Sequence, residues 1–326
     1  MIPLIIGLAL FFSFMNGAHD SRNVVSTLIS SRAYAPRVAL GITALAEFIG
    51  PFVLGSGVAQ TIGRGVVDSA AVTELVLVTA LSTALLWNLV TWVFKLPSSS
   101  SHALIGGLLG AVSMRAGAGA IQIGGLFRIL LFLFLSPVIG FVLGFILLRV
   151  ILYLCRDATP RVNDFFRRSQ LITALALGLT HGSNDGQKSM GIITLALITG
   201  GYLSSFTVPI WVMALCALAL SLGTTLGGWK LIHTVGGISF FKIRPVDAFA
   251  AQASSALVIL GASLFGGPVS ATQVINSAIM GIGAAERANK VRWGLAQDII
   301  TAWVLTIPAT TLVAAGMYLL LARFFS

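Results

Sequence analysis

Ten apolar segments follow one another along this chain of 326 residues, most of them long enough to cross the hydrocarbon core of a bilayer. They run approximately over 4–31, 38–62, 72–95, 98–117, 126–154, 170–199, 208–229, 247–265, 268–285 and 294–322. A spanning helix needs about 20 apolar residues. The longest clearly polar stretch, Arg156 to Gln170, has the length of a loop and not of a soluble domain. Hydrophobic residues make up 57% of the chain and charged residues 9%, against about 25% charged in an ordinary soluble domain. A soluble fold of this size could not bury so much apolar surface, whereas lipid accepts it. Strands of a membrane barrel are about 9–11 residues long, far shorter than these segments. The fold class is therefore an all-α integral membrane protein. Gly, Pro and polar clusters interrupt several segments, which predicts broken helices or re-entrant hairpins among the ten. Met1 to Met15 is apolar without a basic flank and runs into a polar motif, so it reads as a first span and not as a signal peptide.

A net charge of +10 would suggest nucleic acid in a soluble chain. Here the basic residues sit mostly between apolar runs, where topology explains them and no nucleic-acid partner is needed. With the N-terminus outside, the inner loops carry Arg32, Arg37, Lys95, Arg156, Arg161, Arg167, Arg168, Lys230, Lys242, Arg244, Arg287, Lys290 and Arg292, 13 of the 20 Lys and Arg residues. That bias predicts both termini outside and ten crossings. Cys155 and Cys216 make no metal or disulfide pattern.

Two motifs recur. Asn16-Gly-Ala-His-Asp20 resembles His181-Gly-Ser-Asn-Asp185 at an offset of 165 residues. Pro97-Ser-Ser-Ser-Ser-His102 resembles Pro268-Val-Ser-Ala-Thr-Gln273 at an offset of 171. The same order at nearly the same spacing argues for duplication. The expected organisation is a first membrane repeat over 1–155, a cytoplasmic linker over 156–169 and a second membrane repeat over 170–326. With five crossings per half, the second repeat enters from the opposite side, the inverted-repeat plan of many secondary transporters.

The chemistry gathers at these motifs. Asp20 and Asp185 lie inside apolar segments, where a carboxylate costs at least about 2.5–3.5 kcal/mol and is rare without a use. Asn16, His19 and Asn23 surround the first; His181, Asn184 and Gln187 surround the second. A nearby glycine in each motif predicts local unwinding, which would free carbonyls for a cation. The bland alternative is a pair of hydrogen-bonded aspartates tying helices together. Pro97 and Pro268 each precede hydroxyls where a helix would begin. Unpaired N–H groups and the positive dipole end there suit an anion, and ordinary serine capping is the alternative. Glu47, mid-segment, is a further candidate for cation or proton handling. Arg22 and Lys188 flank the aspartates, as plain ion pairs or as charges that balance the site.

Asn16 to Asp20, Leu96-Pro-Ser-Ser-Ser-Ser-His-Ala-Leu-Ile-Gly106, His181-Gly-Ser-Asn-Asp-Gly-Gln-Lys188 and Ile307-Pro-Ala-Thr310 resemble the inorganic phosphate transporter (Pit) family along essentially the whole chain. The resemblance implies cation-coupled phosphate uptake across a plasma membrane, with H⁺ or Na⁺ as coupling ion and no cofactor, and it leaves room for a homodimer. It implies that Asp20, Asn23, Ser99, Ser100, Ser101, His102, Asp185, Ser270 and Thr272 bind substrate. It likewise implies that Asp20, Asn184 and Asp185 handle the cation, where Na⁺ is one candidate ion at Asp20 and Asp185, and Glu47 joins them by its place in mid-segment. Departures from the family pattern are His19 for an Asn, Arg22 for a small residue, and Ala271 and Gln273 for Thr and His. A sulfate permease of the same fold is the near rival. A membrane-embedded phosphohydrolase using His19, His102 and His181 is the rival from another class, and a passive anion channel is a third.

Overall fold

The computed structural model describes residues 1–94, 98–233, 243–291 and 293–325. Lys95 and Pro97, with Lys242 and Arg292 of the basic loops, lie outside them. The described residues form eleven α-helices joined by short loops and three 3-10 turns. In order they are α1 (Ile2–Ser30), α2 (Pro36–Leu54), α3 (Gly57–Gly65), α4 (Glu74–Val93), α5 (Ser100–Ala116), α6 (Ile123–Leu154), α7 (Val162–Thr199), α8 (Ile210–His233), α9 (Pro245–Leu264), α10 (Ala271–Glu286) and α11 (Trp293–Phe325). Helix is the expected outcome, since in lipid every backbone polar group must find its partner within the segment. The basic stretch 156–169 is irregular only at its start, because α7 begins at Val162.

Seven of these helices are long and apolar enough to cross a membrane: α1, α2, α4, α6, α8, α9 and α11. The chain is a multi-pass membrane protein. The apolar segment 38–62 is two helices, broken at Gly55, whose φ of 80° favours glycine. Segments 98–117 and 268–285 become α5 and α10, of 17 and 16 residues, short of a full crossing. The 38 residues of α7 carry the polar motif in their middle. α6 and α11 turn large side chains such as Phe127, Val138, Leu312 and Leu320 outward. In a membrane that surface faces lipid.

Packing exchanges partners between the halves. α1 lies along α8 and α7 along α2, while α5 lies along α11 and α10 along α6. α4 and α5 form one helical hairpin, and α9 and α10 another. The first is closed at its base by an antiparallel bridge between Val67 and Ile121. The base of the second is held where Arg244, at the start of α9, meets Glu286, at the end of α10. A long helix with an interior proline follows each hairpin, Pro137 in α6 and Pro308 in α11.

Candidate functional site

His181 is the hub of a buried polar cluster. Its Nδ1 lies 2.8 Å from Glu47 Oε1, and its Nε2 faces Asp20 Oδ2 at 3.8 Å and Asp185 Oδ2 at 4.0 Å. The last two distances exceed hydrogen-bond reach. Three helices converge here: α1 brings Asp20, α2 brings Glu47, and α7 brings His181 and Asp185, four residues apart on one face. The approach of α2 depends on Gly182, where a Cβ would come within 2.2 Å of the Glu47 carbonyl oxygen. Glu47, His181, Asp185 and Lys188 are fully buried and Asp20 is nearly so. Lys188 Nζ donates to Asp185 Oδ1 at 2.7 Å. Buried charges persist when paired, and part of this cluster is paired only loosely. Glu47 Oε2, His181 Nε2 and Asp185 Oδ2 make no hydrogen bond among the described residues. Asp20, His181 and Asp185 each offer a ligand atom, all within 4.8 Å of one another. The carboxylate oxygens suit a hard cation such as Na⁺, and the imidazole can take up a proton.

The two hairpin tips meet beside this cluster. Ser101 Oγ, in the first turn of α5, donates to the Val269 carbonyl just before α10 at 3.0 Å. Gln273 Nε2 lies 3.5 Å from His102 Nδ1. On α10, Thr272 donates a short hydrogen bond to Asp20 Oδ1, and Asn23 Nδ2 donates to Thr272 Oγ1 at 3.3 Å. Thus the polar motif of the first half touches the hairpin of the second. Two helix N-termini point into one region, and the first N–H groups of a helix have no acceptor within it. Such an end, with its positive dipole, attracts an anion.

A sequence profile described as "Phosphate transporter family" matches residues 16–314, which hold both motifs and both hairpins. The chain belongs to the phosphate transporter family. It is 44% identical over 321 residues to a "Probable low-affinity inorganic phosphate transporter" of Rhizobium meliloti (strain 1021), covering 97% of this chain and 96% of that protein. A protein of the same description from Bacillus subtilis (strain 168) is 43% identical over 326 residues, covering 99% and 97%. A solved structure, "The sodium-dependent phosphate transporter", has the same fold, with a TM-score of 0.88 over 99% of both chains at 23% identity.

In this family member the residues singled out in the sequence take different places. Asp20, Asp185 and Glu47 form the central cluster, Thr272 bonds to it directly, and Asn23 bonds to Thr272. Ser99, Ser101, His102 and Ser270 stand at the tips. Ser99 caps α5 through the His102 N–H, and Ser270 is the N-cap residue of α10, with no cap bond from its side chain. Ser100 is partly exposed and makes no side-chain hydrogen bond among the described residues. Asn184 braces the second hairpin: it donates to Ser263 Oγ and the Gly267 carbonyl and accepts from Val269 N–H. Arg22 is exposed, whereas Lys188 is a buried ion-pair partner.

One expectation is corrected. α1 and α7 run unbroken through their motifs and free no carbonyls there. Their glycines serve close packing instead, Gly17 against the Leu220 carbonyl and Gly182 against Glu47. Apart from the rival hydrolase reading, the sequence marks His181, the hub, only as a neighbour of Asp185. Its spacing of four residues from that aspartate on a helix was the available signal.

Proposed function

We propose that this phosphate transporter family member is a cation-coupled symporter of inorganic phosphate in the plasma membrane, built as two inverted repeats around a central site. The observation that carries the reading is the convergence of two hairpin tips on the carboxylate–histidine cluster. Phosphate lies between the tips, held by Ser101, Thr272 and neighbouring hydroxyls and by helix-end N–H groups. The cation, H⁺ or Na⁺, is held in this cluster on the side of Asp20 and His181. The direct contact between Glu47 and His181 favours H⁺, because an imidazole bonded to a carboxylate is a unit that can hold and release a proton. A cation in this position offsets repulsion between the carboxylates and the anion, which couples the two fluxes. The partner exchange between halves, and the two hairpins closed at their bases, support the inverted repeat. Rocking of the halves about the fixed site then alternates access. No covalent chemistry is required.

Competition by sulfate tests the cargo. At neutral pH phosphate carries at least one P–OH proton and sulfate carries none. An ionised carboxylate only accepts hydrogen bonds. With Asp20 against the anion, phosphate donates a charge-assisted bond and sulfate presents a bare acceptor. A site built around one hydrogen bond can reject an analogue lacking it by factors of order 10⁴, and a bound cation dilutes the factor. In proteoliposomes, sulfate should compete with labelled phosphate at least about tenfold more weakly than unlabelled phosphate does. Equal competition would favour a sulfate permease of the same fold. Release of phosphate from a phosphoester by the purified protein would instead favour the hydrolase.

A further inference from the structure

The two halves of the site treat their aspartates differently. Counted at the offset of 165 residues that relates Asp20 to Asp185, Asn23 corresponds to Lys188. Asn23 is partly buried and neutral, and among the described residues it bonds to Thr272, which in turn bonds to Asp20. Lys188 is fully buried and donates directly to Asp185 Oδ1 at 2.7 Å. Its ammonium and the Asp185 carboxylate are side chains of one helix, three residues apart, so the pair forms within α7 itself. A lysine at this depth is rare unless paired. Among the described residues, the other charged or titratable groups around the pair are His181, Glu47 and Asp20, together with buried His102, which lies within electrostatic reach of the Lys188 ammonium. His181 faces Asp185 Oδ2, and Glu47 and Asp20 both face His181.

We propose that the Lys188 ammonium is a resident counter-ion that takes the place of a mobile cation at Asp185, so that the second half of the site binds no Na⁺. The proposal rests on the symport reading above and deepens it. A compact, tethered ammonium satisfies one carboxylate oxygen as a bound Na⁺ would, and it cannot be carried across with the anion. An asparagine at the same position withdraws the fixed charge and offers an amide oxygen, which is a ligand for a hard cation. Lys188→Asn therefore acquires a Na⁺ site that the wild-type protein lacks. Lys188→Met withdraws the charge and offers no oxygen.

The test compares wild type, Lys188→Asn and Lys188→Met in two assays, each in NaCl and in choline chloride. In thermal melts of detergent-purified protein without phosphate, Na⁺ should raise the Tm of Lys188→Asn more than that of the wild type or of Lys188→Met, because a ligand that binds only the folded state stabilises it by mass action. In proteoliposomes, replacing Na⁺ by choline should lower phosphate uptake by Lys188→Asn at least about tenfold more than uptake by the wild type. The same Na⁺ response in Lys188→Asn and wild type, in both assays, overturns the proposal. So does a Lys188→Asn protein that fails to fold in either salt, since Na⁺ should then have replaced the lost ammonium. A wild-type protein that carries no phosphate contradicts the symport reading instead, and the melts then decide the role of Lys188 alone.

Discussion

Asp20→Asn is expected to fold, to reach the membrane and to lose coupled phosphate uptake. The amide is nearly the same size as the carboxylate, and its oxygen can still accept the hydrogen bond from Thr272 that ties α1 to α10. What disappears is the charge that faces His181 Nε2 at 3.8 Å and His19 Nδ1 at 3.5 Å. A hydrogen bond to a charged group is worth about 1.5–3 kcal/mol, so the loss of one such contact to cation or anion corresponds to roughly 10- to 100-fold in rate or affinity. Asp20 serves both ligands in this account, and the combined fall should reach at least about a hundredfold. Uptake into proteoliposomes, normalised to protein eluting as a single peak on size exclusion, measures it. Near-normal uptake would make Asp20 a structural tie between α1 and α10.

Asp185→Asn should behave differently, because its first cost is stability. The substitution leaves the Lys188 ammonium buried against a neutral amide. Breaking a buried ion pair from one side costs about 3–5 kcal/mol, a large share of the stability of an ordinary domain. The expected result is a lower Tm and a reduced yield of folded protein. Adding Lys188→Met should restore much of the Tm, since removing both partners of a buried pair is close to neutral. Neither variant should support coupled uptake. A melt of Asp185→Asn that matches the wild type would show that the ion pair carries little weight in the folded state.

Much of this arrangement could be read from the order of residues. Apolar length against charge gave the membrane class, and the repeated motifs brought Asp20 and Asp185 together as candidates. The hydroxyls after Pro97 and Pro268 pointed to two helix N-termini, and Ser101 and Val269 bring those two starts together. Other features required the packing. Nothing local says that Glu47, on a separate helix 134 residues away, bonds to His181. That contact exists because Gly182 admits the backbone of α2. For the same reason the motif glycines were misread: a glycine that permits unwinding and one that permits close approach look alike in sequence. The pattern also gave no hint that Gln187 would accept the Val58 and Ala59 N–H groups at the start of α3, since that needs the break at Gly55. Asn184 could not be separated from Asp185 as a ligand until its amide was seen engaged with the second hairpin.

An ion gradient should drive phosphate through this cluster. The direct measurement is accumulation of labelled phosphate in proteoliposomes, with inward H⁺ and Na⁺ gradients imposed one at a time. Phosphate should rise inside above its external concentration under at least one gradient, H⁺ by the geometry of Glu47 and His181, and should leak back when an ionophore collapses that gradient. Phosphate that only equilibrates, at a rate and to a level indifferent to both gradients, would contradict coupling and leave a passive pathway.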